Sequence, residues 1–336
     1  MRVLVFLLGL SVPFFLWAQE PEMMQAIQLQ QFGGPQVLEV RQLPRPIAGA
    51  GELLIRVKAA GINPVDTKVR SGVAASLAGA VPPYVPGFDV SGTVAAVGKG
   101  VTKFKAGDQV FAMLNLKRGG GYAEYAIVRE DEATLKPPRL THTQAASIPL
   151  VALTAWQALF EVANLQEGQT VLIHAGAGGV GSIAIQLAKW RGAKVIATAS
   201  DYNHDFLREL GVDVPLDYRT QRFEDFATNI DLVLDTIGGT TQLRSMGVLR
   251  EGGILVSIVG LTREAMNPKR DIRVTSILVQ PKAEQLKNIA DLLEVGIVRP
   301  NVTYRFPLHK ASEAHVQSET RRTRGKIVLE LDEYPN

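Results

Sequence analysis

The sequence predicts an α/β-plus-β fold, in which a turn-rich β unit is joined to a unit of alternating strands and helices. Three observations carry this. Short apolar alternations broken by glycine and proline fill residues 24–146. Near Thr143 the texture changes to apolar strand runs separated by helical stretches, the rhythm of βαβ units on a parallel sheet. Residues 281–336 leave that rhythm and supply one helix and a closing strand that can return to the β-rich unit.

In the first unit, residues 26–29 alternate, and Leu53, Ile55, Val57 and Ala59 put apolar side chains on one face of a strand. Residues 90–94 and 109–112 read as further strands, with turns at Gly33-Gly34-Pro35, Pro82-Pro83, Pro86-Gly87 and Gly119-Gly120-Gly121. In the second unit, over residues 147–280, strands are expected at 170–174, 194–199, 231–235 and 253–257. A helix is expected over 145–162, a second over 183–190, and a third over 204–210 that Gly211 ends. A helix over 283–295 and a strand over 327–331 complete the chain.

Residues 1–18 are unlike the rest. Arg2 precedes an apolar run of 16 residues, shorter than the roughly 20 that a bilayer span needs. This is the build of a secretory signal peptide with Ala18 at the cleavage position, although Leu16 stands where a small residue is preferred. It implies an exported, periplasmic protein. A retained anchor stays open, as does a cytoplasmic product that starts at Met23 or Met24.

Composition removes several classes. With 36 Lys+Arg against 33 Asp+Glu the net charge is only +3, and the densest basic run, Arg321, Arg322, Arg324 and Lys326, is too short to make a nucleic-acid face. The chain has no cysteine, which excludes disulfides, iron–sulfur clusters and cysteine-ligated zinc. No two of its five histidines form a short-spaced metal pair, so no metal site is expected.

The expected strand ending at His174 runs into Ala175-Gly176-Ala177-Gly178-Gly179-Val180-Gly181 and then a helix. Gly176, Gly178 and Gly181 have the G-x-G-x-x-G spacing. The first allows a tight turn, the second lets backbone approach a pyrophosphate, and the third lets helix and strand pack closely. Between a strand and a helix this motif points to dinucleotide binding, with Gly179 and Val180 opening the helix. An acid at the end of the second strand would hold the ribose hydroxyls of NAD. Here Ser200, which leaves room for a 2′-phosphate, is followed by Asp201, which repels one. The pair leans to NADPH and leaves NADH open.

The stretches AIQLQQFGGPQVLEV, GINPVDTKVRSG, VPGFDVSGTVAAVGKGV, FKAGDQVFAM, GGYAEYAIV, LTAWQAL, VLIHAGAGGVGSIAIQLAK and TRGKIVLEL span both units. Through them the chain from Met24 onward resembles the zinc-free quinone oxidoreductases of the medium-chain dehydrogenase/reductase superfamily. The resemblance implies a GroES-like barrel domain, split in sequence, with a Rossmann domain inserted. It implies NADPH-dependent reduction of a small quinone or α,β-unsaturated carbonyl, and a homodimer. Where the zinc branch has Gly-His-Glu this chain has Gly87-Phe88-Asp89, and no three-ligand open site remains.

The resemblance also places residues. Asn63, Asp66 and Lys68 lie in the segment that lines the nicotinamide end, where Asn63 can donate to substrate oxygen, Lys68 can bring a cation, and Asp66 can fix the loop. Thr154 matches a position near the carboxamide. Tyr218 stands where relatives contact the adenosine phosphate, with Arg324 and Lys326 as further donors to it. Gly238, Val259 and Gly260 follow two strands at the edge where ligands gather. His174 reads as a packing residue. Two other functions stay in view: an NADPH-binding sensor or structural relative without turnover, and an enoyl-thioester reductase.

Overall fold

The structure, a computed structural model, describes residues 21–331. The signal-peptide reading of residues 1–18 lies outside them. The chain opens with β1 (Met23–Leu29), paired antiparallel along its length with β2 (Leu38–Pro44). β3 (Glu52–Ile62) is the longest strand and the hub of the barrel. It pairs antiparallel with β4 (Asp89–Val97) and with β6 (Tyr125–Arg129). β5 (Gln109–Met113) joins β4 to β7 (Ala133–Leu135). Leu53, Ile55, Val57 and Ala59 are buried as their alternation predicts, but two register shifts in β3 against β4 also bury Leu54 and Ala60. Between β3 and β4 lie α1 (Pro64–Arg70) and the short α2 (Ala75–Ala78).

The expected helix over 145–162 is three pieces instead. α3 (His142–Ala146) begins at Thr141, whose Oγ1 accepts the Gln144 N–H at 3.1 Å. α4 (Pro149–Trp156) restarts at a proline, which has no N–H to continue the first ladder. A π-helical turn, Gln157–Val162, follows.

Six parallel strands then form one sheet: β8 (Thr170–Ile173), β9 (Lys194–Ala199), β10 (Val214–Asp217), β11 (Ile230–Asp235), β12 (Leu249–Ser257) and β13 (Arg273–Ser276). Their order is β10-β9-β8-β11-β12-β13. The chain therefore turns one way after β8 and the other way from β11, which makes the carboxyl ends of those two strands the switch point of the sheet. α5 (Gly179–Trp190) follows β8, α6 (His204–Glu209) follows β9, and α7 (Gly239–Met246) links β11 to β12. β13 was not anticipated because RVTS has neither an apolar run nor alternation.

After α8 (Ala283–Glu294) the chain returns to the barrel. β14 (Val302–Pro307), also unanticipated, pairs parallel with β15 (Lys326–Glu330), and α9 (Ala311–Glu319) lies between them. β15 closes against β3, with Ile327 opposite Ile62. Among the described residues no helix is long and apolar enough to cross a membrane.

His174 is a packing residue, as expected. Its Nε2 is 2.7 Å from Ser245 Oγ and its Nδ1 3.1 Å from Thr198 Oγ1. Ser245 Oγ gives its proton to the Thr241 carbonyl, so it accepts from Nε2–H, and Nδ1 accepts from Thr198. One neutral tautomer thus satisfies β8, β9 and α7 together. Burial holds the ring down at a pKa of about 4 against its ordinary 6.5. This stabilisation is present above pH 6.5 and is lost as pH falls towards 4. Thermal melts from pH 7 to pH 4 should show a falling midpoint, and His174→Gln should flatten that fall by about 3 kcal/mol across the range. An unchanged slope would show that His174 does not take up a proton on unfolding.

Candidate active site

The glycine turn forms the floor of the crevice. A Cβ on Gly181 would stand 2.4 Å from the Ala175 carbonyl oxygen, so only glycine lets α5 leave β8 this closely. A Cβ on Gly176 would meet Ala197, Ile185 and Leu207 at about 3 Å. At Gly178 the only near atom is the Ala175 oxygen at 3.3 Å, which leaves that side open to a ligand. Gly178 is the extended residue before α5, with no side chain to cap it. The first N–H groups of the helix, those of Gly179, Val180 and Gly181, have no partner within the helix, which is the arrangement that suits a pyrophosphate.

The barrel docks directly on this turn. Gly325 N–H donates to the Ala177 carbonyl at 2.8 Å, and Gly178 and Gly325 form a parallel bridge. At the ends of β11 and β12, Asp235 accepts the Ile237 and Gly238 N–H groups at 3.0 and 2.8 Å. Gln242 joins Asp235 to the Gly260 carbonyl, at 2.8 and 2.9 Å. Gly238 and Gly260 both have left-handed φ, of 78° and 89°, and Val259 beside them is half exposed. These turns lie at the carboxyl edge of the sheet, as the strand reading of the sequence predicts.

At the end of β9, Ser200 is buried, with its Oγ 3.5 Å from the hydroxyl of the exposed Tyr218. Arg324 reaches the same region. Its Nε donates to Asn203 Oδ1 at 2.7 Å and its Nη2 to the Tyr202 carbonyl at 3.1 Å. Lys326 does not go with it, which corrects the expectation. It is buried, and its Nζ donates to the Ile62 carbonyl at 2.8 Å and to Asn63 Oδ1.

Lys326 is the centre of the other end of the crevice. Asn63 follows β3 and precedes Pro64, whose fixed φ and missing N–H suit the first turn of α1. The Asn63 N–H donates to Asp66 Oδ2 at 2.6 Å, and its Nδ2 donates to Asp89 Oδ2 at 2.9 Å. Asp89 Oδ1 accepts the Leu150 N–H at the start of α4, at 2.8 Å, and Oδ2 is 3.6 Å from Lys326 Nζ. Burial raises the Asp89 carboxyl and the ammonium of Lys326 offsets part of that; burial lowers Lys326, which Asp89 and Asp66 partly restore. Asp66, fully buried beside Tyr122 and Tyr84, is pushed up to about 7, mainly by burial.

The cluster therefore brings together Asn63 and Asp66 of the expected residues and adds Asp89 and Lys326. Lys68 is not part of it, since it is exposed on α1 while Asp66 points inward. Thr154 is buried in α4, and its hydroxyl donates to the Leu150 carbonyl at 2.7 Å, which leaves its oxygen free to accept. The signal for Asp89 was its place in the Gly-Phe-Asp stretch. Lys326 was marked only as a donor at the adenosine end, because it sits in a basic run; nothing in the sequence placed it beside Asn63.

Residues 49–138 match the alcohol dehydrogenase GroES-like domain, and residues 210–329 match the zinc-binding dehydrogenase family. The chain is 34% identical over 329 residues to the quinone oxidoreductase of Sus scrofa, covering 92% of this chain and 98% of that protein. The chain belongs to the quinone oxidoreductase family of the zinc-type medium-chain dehydrogenase/reductases. It is also 35% identical to a chloroplastic NADPH-dependent alkenal/one oxidoreductase of Arabidopsis thaliana, over 93% of this chain and 81% of that one. The structure of the Escherichia coli quinone oxidoreductase complexed with NADPH superposes with a TM-score of 0.82 at 29% identity, over 91% of this chain and 99% of that one. The split barrel and the parallel sheet at whose switch point the crevice opens are thus those of a quinone oxidoreductase fold.

Lys326→Met should leave Asp89 buried without its cation and cost about 3–5 kcal/mol in urea unfolding. Adding Asp89→Asn should restore part of that loss, and strictly additive losses would show that the two groups do not interact. Asp66 behaves oppositely to His174. Its raised pKa gives stability that is complete below 3.8 and lost as pH rises through about 7. Asp66→Asn should be relatively more stable at pH 8 than at pH 4, and equal effects at both pH values would refute the shift.

Proposed function

We propose that the chain reduces quinones or α,β-unsaturated carbonyls with NADPH and without zinc. The observation that carries this is the Gly325–Lys326 junction. Gly325 holds the glycine turn that would cradle the pyrophosphate, and the next residue holds the Asn63–Asp89 cluster at the reacting end. Bound NADPH would supply the hydride. The chain supplies orientation and charge. Thr154 Oγ1 would accept a carboxamide N–H, and the second hydrogen of Asn63 Nδ2 would serve the oxygen that gains charge when a quinone or enone is reduced, both side chains being buried in this structure. Asn63 cannot turn to face another way, because its Oδ1 is held by Lys326 and its Nδ2 by Asp89.

Zinc independence rests on the donor set. With no cysteine in the chain, Asp89 is the residue in register with the zinc branch's ligand stretch, and its two oxygens already accept from Leu150 and Asn63, with the Lys326 ammonium 3.6 Å away. The same reading divides the chain into barrel residues 24–146 and 281–336 and a dinucleotide-binding domain over 147–280, takes only small-molecule partners, and makes the protein a homodimer, for which the outer edge of β13 offers unpaired backbone. A requirement for NADPH suits a cytoplasmic product beginning at Met24 better than an exported one, and sequencing the amino terminus of cell-derived protein checks this.

Protein purified in EDTA should oxidise NADPH with ortho-quinones, para-quinones or short enones. Tight NADPH binding without turnover on any of them would favour a sensor instead. Asn63→Ala should lower turnover about 10- to 100-fold, the range for loss of a donor to developing charge, with circular dichroism unchanged. Unchanged kinetics would remove Asn63 from the site.

A further inference from the structure

β9 and β10 are adjacent parallel strands, with Ala199 opposite Asp217. The residues that follow them, Ser200-Asp201 and Tyr218-Arg219, therefore emerge side by side at the ribose end of the crevice. Arg219 is anchored there. Its Nε and Nη2 donate to the two oxygens of the nearly buried Asp217, at 3.0 and 3.1 Å, and its backbone N–H donates to Asp217 Oδ1 at 3.1 Å. The planar fork of arginine makes this two-point grip, which lysine cannot. Its Nη2 also reaches Asp201 Oδ1, the oxygen that accepts the Tyr202 N–H at 2.7 Å.

We propose that Arg219 and Asp201 together set the choice between a 2′-phosphate and a 2′-hydroxyl at the adenosine ribose, Arg219 being the cation that lets a phosphate sit beside an acidic turn residue. This rests on the dinucleotide reading and deepens it. Counted formally, the carboxylates of Asp201 and Asp217 both meet the guanidinium of Arg219, and Arg324 stands close by on Asn203 and the Tyr202 carbonyl, so two negative charges are matched by two positive ones in the segments that follow β9 and β10. A 2′-phosphate adds nearly two negative charges and needs a guanidinium that is already in place. A 2′-hydroxyl needs an acceptor, and Asp201 is one. Without Arg219, two carboxylates would face the phosphate with only Arg324 to offset them. Without the charge on Asp201, Arg219 keeps its grip on Asp217 and turns its remaining capacity to the ligand.

The test is the dissociation constant of NADP⁺ and of NAD⁺, read from quenching of tryptophan fluorescence and checked by calorimetry, so that no turnover is needed. Arg219→Gln should weaken NADP⁺ by about tenfold or more while NAD⁺ stays within about twofold. Asp201→Asn, which leaves the Arg219–Asp217 fork intact and the fold undisturbed, should tighten NADP⁺ by about 3- to 10-fold and weaken NAD⁺. Higher salt should shrink the NADP⁺ differences, since these groups are half exposed. Parallel shifts for both nucleotides, or none for either, in Asp201→Asn would overturn the proposal. A wild-type chain that binds neither nucleotide would overturn the dinucleotide reading itself, and this proposal with it.

Discussion

One buried ammonium holds the two ends of this chain together. Lys326 and Asn63 are 263 residues apart in sequence, yet Lys326 Nζ sits on the Asn63 side chain and on the carbonyl before it. Through Asp89 the same contact reaches β4 and the first turn of α4. The residue before Lys326 is bonded to the glycine turn. The surface that would cradle a pyrophosphate and the amide at the reacting end are therefore set by consecutive residues of one strand lead-in, with no flexible segment between them.

Such a cluster is not built for stability alone. Removing two charges from water costs several kcal/mol for each, and a close pair returns little more than that. What it does give is geometry. Asp89 has partners on both oxygens, so the amide of Asn63 has one orientation, and Asp66 fixes the backbone N–H of the same residue. A donor whose direction is set before the substrate arrives needs no reorganisation as charge develops on oxygen. The buried histidine between β8, β9 and α7 does for the sheet what Lys326 does for the crevice: one neutral ring joins three elements.

The features that could be read from sequence are local ones. The glycine spacing, the apolar runs of β8, β9, β11 and β12, and the alternation of β3 each express a geometric rule within a few residues. Asn63-Pro64 announces a helix start in the same way. What could not be read depends on partners far along the chain. Lys326 lies in a stretch that looks solvated, and only the pairing of Ile327 with Ile62 turns its side chain into the core. Arg219 is anchored locally on Asp217, but it meets Asp201 only because β9 and β10 lie side by side. β13 and β14 are edge strands with largely exposed residues; β13 records no periodicity, and the alternation of Val302, Tyr304 and Phe306 in β14 is not matched by burial. The break at Pro149 was legible in principle, but the apolar composition around it outweighed the proline.

The two ends of the crevice are thus governed by different electrostatics. Around Lys326 the charges are buried, paired with one another and bonded to backbone, so solvent ions screen them little. At the ribose end the charges of Asp201, Arg219 and Arg324 lie at the surface, where each interaction is weak and screened. A selective contact for a cofactor has to be made and broken in every cycle, and weak screened pairs allow that. A contact that orients a reacting group must not be broken at all. The division between exposed charges beside Ser200 and buried charges around Lys326 matches those two requirements, and the same closing strand, entering past Arg324 and ending its turn at Lys326, serves both.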